Sequence, residues 1–373
     1  MQYAPLASLR HRLIFGGPVP FNIRNMDQTL LLARGQMLRD EDQLQALLDR
    51  GAVVDTDEAK GPRAEVHESP PEGLPALWSK YLARMGRTLR HPDPAAFAEA
   101  LDEVAQPLLA LIERDPDLAI FQLVRPDPGK EISYGVAHSV HSAVATNLVA
   151  RRLGWDAANA ELVFKAALTM NIAMLELQAQ LANQVTPLTP LQREAIRQHP
   201  LGAVEILRSV GVNDAVWLAT VAQHHEVPGG GGYPHGREDV GELACMLRYA
   251  DIYTAKLSPR ASRGALPANR AGREIFLQGD RAPLAAAMVK EFGIFPPGCF
   301  VALHCGELGV VIRRGSTANT PVVAALVARN GDAMLEPVRR ATDVEEYAIV
   351  KVVSESSLRV RISPDRLAAM AAR

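Results

Sequence analysis

The run from Ala157 to Leu181 is apolar on almost every side of a helical wheel. Its apolar side chains include Leu162, Val163, Phe164, Ala167, Leu168, Met170, Ile172, Met174 and Leu175. A helix without a polar face is stable only where other helices surround it, so this run predicts a helical bundle with itself at the centre. Helical periodicity continues on both sides. We predict helices over residues 75–89, 94–113, 131–154, 156–182, 190–209, 213–226, 240–257, 267–277 and 282–292.

The two ends of the chain have a different pattern. Short strand-like runs separated by turn residues precede the helices, and an alternation of period two returns after Pro297. We therefore predict a mainly α protein flanked by small β-rich modules. The expected parts are an N-terminal module over 1–60, a polar, proline-rich linker over 61–75, a helical domain over 76–293 and a C-terminal module over 294–373. The last strand is expected from Leu358 to Ile362.

The amino-acid composition argues against two kinds of binding partner, nucleic acids and membranes. The 40 basic and 42 acidic side chains give a formal net charge of -2, so no overall field attracts nucleic acid or an acidic membrane. No run approaches the roughly 18 apolar residues of a membrane span, and the first residues lack the apolar stretch of a signal peptide. The three cysteines form no CxxC pair, which is typical of reduced thiols in the cytosol. We expect a cytoplasmic protein that binds neither nucleic acid nor membrane.

Two adjacent histidines, His224 and His225, end the predicted helix 213–226. On its wheel both rings flank the apolar, inward stripe. Four glycines follow them directly, then Tyr233 and Pro234. A glycine run is costly in unfolded-state entropy, so it makes most sense where the backbone passes close to another group.

Other helices supply further side chains that can bind metal. His138, His199 and Asp251 lie on three of them and are expected to face inward. Imidazoles and a carboxylate brought together from several helices are typical of a metal centre inside a bundle. His141, one turn after His138, has no partner in this pattern, and we assign it a structural role.

These residues resemble a known family, the HD-GYP domains. The run from His224 to Gly236 resembles the signature HHExxDGxGYPxG, with Gly229 where the signature has Asp. His199-Pro200-Leu201-Gly202 resembles HPxxG, His138 resembles the first histidine, and Ala250-Asp251-Ile252-Tyr253 resembles ADxFD. Arg260 and Arg263 fall where the arginines of RPYR fall. The resemblance covers about residues 130–275. It implies an HD-type helical bundle that hydrolyses cyclic di-GMP with two or three metal ions.

The chain departs from the signature at the HD dyad itself. Where the family reads HDxGK, this sequence reads Met170-Asn171-Ile172-Ala173-Met174. Two dications about 4 Å apart repel by roughly 16 kcal/mol at an effective dielectric of 20, and a bridging carboxylate offsets that repulsion. Asn171 keeps the shape of aspartate without its charge, so we expect no two-metal centre and assign no catalytic residue. We expect the amide of Asn171 to hydrogen-bond to a neighbour such as a retained histidine.

The sequence leaves several functions open. The first is a degenerate HD-GYP protein that binds cyclic di-GMP, a diguanylate cyclase or another signalling protein, with no resident cofactor. Its binding residues would be Gly230, Gly232, Tyr233, Pro234, Arg260 and Arg263. The second is a phosphodiesterase with one iron, zinc, nickel or manganese ion. Its ligands would come from His138, His199, His224, His225 and Asp251. The third is a structural scaffold, and a homodimer is compatible with each.

Overall fold

The computed structural model describes residues 3–13, 15–56, 61–125, 132–277, 282–358 and 364–372. The protein is mostly helical, with β-rich regions near both ends, so the predicted fold class is confirmed. Its contacts divide it into two compact units. The smaller unit is 1–69 with 102–110, and the larger is 70–101 with 111–373.

The smaller unit contains two sheets. Its strands are β1 (Tyr3–Pro5), β2 (Gly17–Pro18), β3 (Ile23–Arg24), β4 (Leu30–Leu32), β5 (Met37–Leu38) and β6 (Val53–Asp55). One sheet has the order β1-β6-β3-β4, and β2 pairs with β5. Helix α1 (Glu41–Asp49) begins where Asp40 accepts a hydrogen bond from Gln43 N, as expected of an N-cap. The segment predicted as a linker contains a short helix, α2 (Ala64–Glu68).

The helices that follow form the bundle. They are α3 (Leu74–Arg90), α4 (Phe97–Arg114), α5 (Pro116–Val124), α6 (Tyr134–Arg152), α7 (Ala157–Thr169), α8 (Leu175–Asn183), α9 (Pro190–Ser209), α10 (Ala215–Gln223), α11 (Glu242–Leu257), α12 (Ala268–Phe276) and α13 (Ala282–Phe292). In the described ranges, no helix is both long and apolar enough to cross a bilayer.

The prediction of a single helix over 156–182 is wrong, because the structure has two helices there, α7 and α8. Between them the backbone turns tightly, with Ile172 N donating to Thr169 O and Met174 N donating to Asn171 O. Hydrophobic periodicity cannot detect such a break, because the residues in the turn are as apolar as those in the helices. The break places Asn171 just beyond the end of α7.

The most enclosed helix is α6 rather than the run from Ala157 to Leu181. Almost every residue of α6 from Gly135 to Ala150 is buried, although several are polar. Small polar side chains can be buried in a helix when they bond to its own backbone, as Thr146 Oγ1 does to Ala143 O. Hydropathy therefore underestimated the burial of α6, which packs along α7 and α11.

The C-terminal region is an antiparallel sheet. Its strands are β7 (Phe300–Leu303), β8 (Leu308–Arg313), β9 (Val322–Val327), β10 (Ala333–Ala341) and β11 (Ile349–Val352), in the order β10-β9-β8-β7-β11. A helix, α14 (Pro364–Ala371), follows. Of the strand predicted from Leu358 to Ile362, Leu358 ends a short 3-10 turn and the remainder lies outside the described residues. Arg313 and Arg314 pair with Asp115 and Asp117 at the start of α5.

Candidate functional site

Three imidazoles meet where α9 and α10 pack together. His199 lies in α9, and His224 and His225 directly follow α10. One ring nitrogen from each lies within 4.8 Å of the others, and His199 Nε2 is 3.1 Å from His224 Nε2. The start of α10 fixes this register, because Asp214 caps it by accepting from Val216 N and Trp217 N.

The hydrogen bonds of His199 and His224 determine which ring nitrogens carry protons. His199 Nδ1 is 2.6 Å from Ile196 O, and His224 Nδ1 is 2.6 Å from Val221 O. A carbonyl only accepts, so each Nδ1 must donate. A neutral imidazole carries only one N–H, so each Nε2 is unprotonated. The two Nε2 atoms therefore direct lone pairs at each other. Such a contact is stable only with a shared proton or a metal ion between the two nitrogens.

Burial keeps these rings neutral. It lowers the pKa of His199 to about 3, and it also lowers the pKa values of His224 and His225. The neutral imidazole is the form that binds metals. Two nitrogens 3.1 Å apart can both reach one ion through bonds of about 2.0–2.1 Å. The donor set therefore fits one divalent transition metal.

Asp251 lies between this cluster and His138. Its Oδ1 is 2.6 Å from His138 Nε2, and its Oδ2 is 4.0 Å from His225 Nδ1. Burial alone would raise the pKa of Asp251, but the hydrogen bond that it accepts from His138 holds it well below its usual range. Asp251 is thus an ionised carboxylate shared by the two groups of histidines.

The positions of the missing dyad are buried and uncharged. Met170 has no exposed surface, and Asn171 and Met174 are also buried. The side-chain nitrogen of Asn171 has no hydrogen-bond acceptor among the described residues, so the expected bond from its amide group is not formed. A buried donor without a partner is unfavourable, so the Asn171 amide is a group that an additional acceptor would stabilise.

The glycine loop is fixed by Glu226. This side chain is fully buried, and its two carboxylate oxygens accept from His235 N at 2.8 Å and Arg237 N at 2.9 Å. Glu226 therefore holds the loop through both of its carboxylate oxygens. A Cβ on Gly232 would lie 2.5 Å from Glu226 Cα, so the close approach of two backbones requires glycine here.

Tyr233 covers one side of the histidine cluster. Its ring stacks on His225 with centroids 4.4 Å apart and an interplanar angle of 25°. The guanidinium of Arg197 lies 6.0 Å from the tyrosine centroid. Pro234, which follows through a cis peptide bond, and Gly230 lie in the same loop. Their role in binding a ligand or partner stays a prediction.

The two arginines lie in a tight turn after α11, and not on a helix. Arg260 N donates to Arg263 O, and Arg263 N donates to Arg260 O. The Arg260 side chain donates to the Tyr134 hydroxyl at 2.9 and 3.1 Å, whereas Arg263 donates to Ala255 O at 2.7 Å. The two guanidinium groups thus have separate partners, and their joint role in phosphate binding stays a prediction. Tyr134 in turn stacks on His138.

Comparison with known proteins agrees with this arrangement. Residues 130–280 match the model of the HD domain family. Over 246 residues the chain is 30% identical to a cyclic di-GMP phosphodiesterase of Pseudomonas aeruginosa, covering 65% of this chain and 57% of that protein. The helical region of this chain belongs to the HD-GYP family.

A second relative is more distant. It is a 3'3'-cGAMP-specific phosphodiesterase of Vibrio cholerae, 29% identical over 141 residues, which are 37% of this chain and 30% of that protein. The chain thus spans about three fifths and about a third of the lengths of these relatives. A solved HDG"Y"P protein of Bdellovibrio bacteriovorus aligns with a TM-score of 0.45 and 14% identity, over 77% of this chain and 97% of that one.

One residue that the sequence reasoning set aside lies beside the HD-GYP site. His141 is buried on the same face of α6 as Tyr134 and His138. Its Nδ1 has no partner among the described residues. The spacing of three residues from His138 was visible in the sequence, but it carried no information about what the ring would face.

Proposed function

We propose that this chain is a degenerate HD-GYP module of cyclic di-GMP signalling that binds its ligand without hydrolysing it. The ligand is cyclic di-GMP itself or a protein partner such as a diguanylate cyclase. The names of the two relatives support cyclic dinucleotides as the ligand class. The observation that carries the proposed inactivity is the buried, neutral pair Met170 and Asn171 at the end of α7.

The inactivity follows from charge. The donors that meet in the structure are neutral imidazoles and one ionised carboxylate, Asp251. Two dications held there would face each other with a single negative charge to offset their repulsion. That repulsion is roughly 16 kcal/mol at 4 Å and an effective dielectric of 20. Asn171 adds no charge, so the two-metal arrangement that clamps both oxygens of a phosphoryl transfer is not expected to form.

One divalent ion is compatible with the site. His199, His224 and His225 would hold it, with Asp251 beside them. When bound, such an ion polarises a phosphate oxygen and lowers the pKa of a coordinated water. The chain itself supplies orientation: Asp251 fixes the His138 ring, and Tyr134 fixes Arg260 on the same side.

A phosphodiesterase with this single ion is the second candidate. The contact between the two Nε2 lone pairs of His199 and His224 favours it, because a metal ion resolves that contact directly. It differs from the first candidate in one measurable quantity, the turnover of cyclic di-GMP.

The test combines elemental analysis, calorimetry with cyclic di-GMP and a turnover assay on the purified chain. We expect at most one metal per chain, saturable binding and no linear or mononucleotide product. The repaired variant Met170→His/Asn171→Asp should bind a second metal. A matched variant that adds Asp251→Asn to this repair should not. Two metals or rapid turnover in the unmodified protein would refute the proposed inactivity. The proposed ligand would be refuted if calorimetry shows no cyclic di-GMP binding and pull-downs recover no protein partner that depends on Tyr233.

A further inference from the structure

A cavity of about 1130 Å³ lies within the larger unit, beside α6. Residues of α3, α5, α6, α8, α14 and the turn after α11 line it. Small-molecule sites commonly have volumes of about 300–1,000 Å³ and mostly apolar walls. Apolar side chains on these walls include Leu82, Phe121, Leu123, Val144, Leu257 and Leu367. The cavity therefore has the size and the lining of a site for a small organic molecule.

Three buried polar atoms at this cavity lack partners. They are Trp78 Nε1, Ser133 Oγ and His141 Nδ1, and none has a hydrogen bond to a described residue. Trp78 is 3% exposed and His141 is 5% exposed. Folded proteins rarely leave a buried polar atom unpaired. Three such atoms around one cavity provide hydrogen-bonding groups that a ligand in the cavity can satisfy.

The chemistry of these atoms restricts the ligand. The indole of Trp78 only donates, so it requires an acceptor. Burial lowers the pKa of His141 to about 3, so this ring is neutral and offers no charge to an ion. The Ser133 hydroxyl can donate or accept.

Charged side chains also line the cavity. Arg125 forms an ion pair with Glu355, and the Arg260 guanidinium donates to the neutral hydroxyl of Tyr134. The three unpartnered atoms themselves carry no charge. An uncharged group can complete their hydrogen bonds without the cost of burying an ion beside them.

We infer that this cavity binds an uncharged, largely apolar ring molecule that carries a hydrogen-bond donor and an acceptor, such as a phenol or a cyclic amide. Its contacts are Trp78, Ser133 and His141. Since His141 lies on the face of α6 that also carries His138, an occupant would brace the helix that positions the His138–Asp251 pair. The inference does not depend on the proposed function, because the ligand contains no phosphate and needs no metal.

The experiment uses two probes that differ by one hydroxyl group, 2-naphthol and naphthalene. Binding to the full chain is measured by fluorescence titration in the presence of EDTA. We expect saturable binding of both probes with one site per chain. His141→Phe should weaken 2-naphthol about three- to tenfold, the usual effect of one hydrogen bond, and change naphthalene less than twofold. His91→Phe, an exposed histidine outside the cavity, serves as the matched control and should change neither.

A second variant tests the location. Ala179 lines the cavity and is partly exposed, so Ala179→Trp can place its ring in the open space without displacing the core. It should abolish binding of both probes. If circular dichroism shows that this variant is unfolded, Ala265→Trp, at an exposed lining position, replaces it. The inference is overturned if 2-naphthol does not saturate the unmodified protein, if a folded filling variant binds normally, or if His141→Phe affects both probes equally.

Discussion

Replacing His141 with phenylalanine is expected to make the folded protein less sensitive to acid. Burial, and secondly the nearby His138, lower the pKa of His141 to about 3 in the folded state. The ordinary value in an unfolded chain is about 6.5. As the pH falls below 6.5, the unfolded state takes up a proton at this position before the folded state does. The stability contributed by the neutral ring is therefore complete above pH 6.5 and is lost progressively towards pH 3.

The size of the stability loss follows from how far the pH lies below the unfolded-state pKa of His141. At pH 5 the solution is about 1.5 units below the unfolded pKa and still above the folded one. Each unit corresponds to about 1.36 kcal/mol, so His141 should account for about 2 kcal/mol of the stability lost between pH 7 and pH 5. Phenylalanine has a similar shape and does not titrate. The variant should lose about 2 kcal/mol less than the unmodified protein over this interval.

The assay is urea unfolding followed by circular dichroism at both pH values. His91→Phe provides the matched control, because it removes an exposed histidine by the same change. This control should leave the pH dependence within about 0.5 kcal/mol of the unmodified protein. Equal losses for His141→Phe and the unmodified protein would show that His141 is solvated or protonated when folded. The description of its environment would then be wrong.

Two further changes test the contacts that hold the site and the C-terminal sheet. Gly232→Ala should lower the free energy of unfolding in urea by about 2 kcal/mol or more, because the added Cβ would collide with the Glu226 backbone. The control Gly264→Ala has open space around the added Cβ and should leave the stability nearly unchanged. Arg314→Met should cost about 2 kcal/mol, because it removes the cation that Asp117 and Glu291 share and leaves each with one other arginine, Arg313 and Arg152, whereas the exposed Arg339→Met should change stability by less than about 0.5 kcal/mol.

Much of the site could be predicted from helical spacing. His224 and His225 were placed at the end of a short amphipathic helix, and the structure ends α10 at Gln223. Asp251 was placed inward because it follows an apolar residue by one turn, and it does contact His138. Periodicity succeeded here because it reports which face of a helix is buried, and that face is where the ligands converge.

Other features depend on contacts that periodicity does not record. The break between α7 and α8 consists of apolar residues, so hydropathy continued through it. Helix α5 was missed, although Asp115-Pro116 is a recognisable start: Asp115 accepts from Leu118 N and proline occupies the first turn. The separate partners of Arg260 and Arg263 arise from a turn whose shape depends on residues distant in sequence, among them Tyr134.

The imidazole rings of the histidine cluster are oriented by contacts with the rest of the chain. His199 and His224 are each fixed by a carbonyl in the preceding turn, and His225 is fixed by the ring of Tyr233. The arrangement of the imidazoles would therefore persist after the loss of catalysis. The net charge at the site depends on how many metal ions it holds. With one dication, Asp251 leaves one net positive charge, which suits an anionic phosphate. With two dications it leaves three, and a carboxylate at the position of Asn171 would be required to offset them.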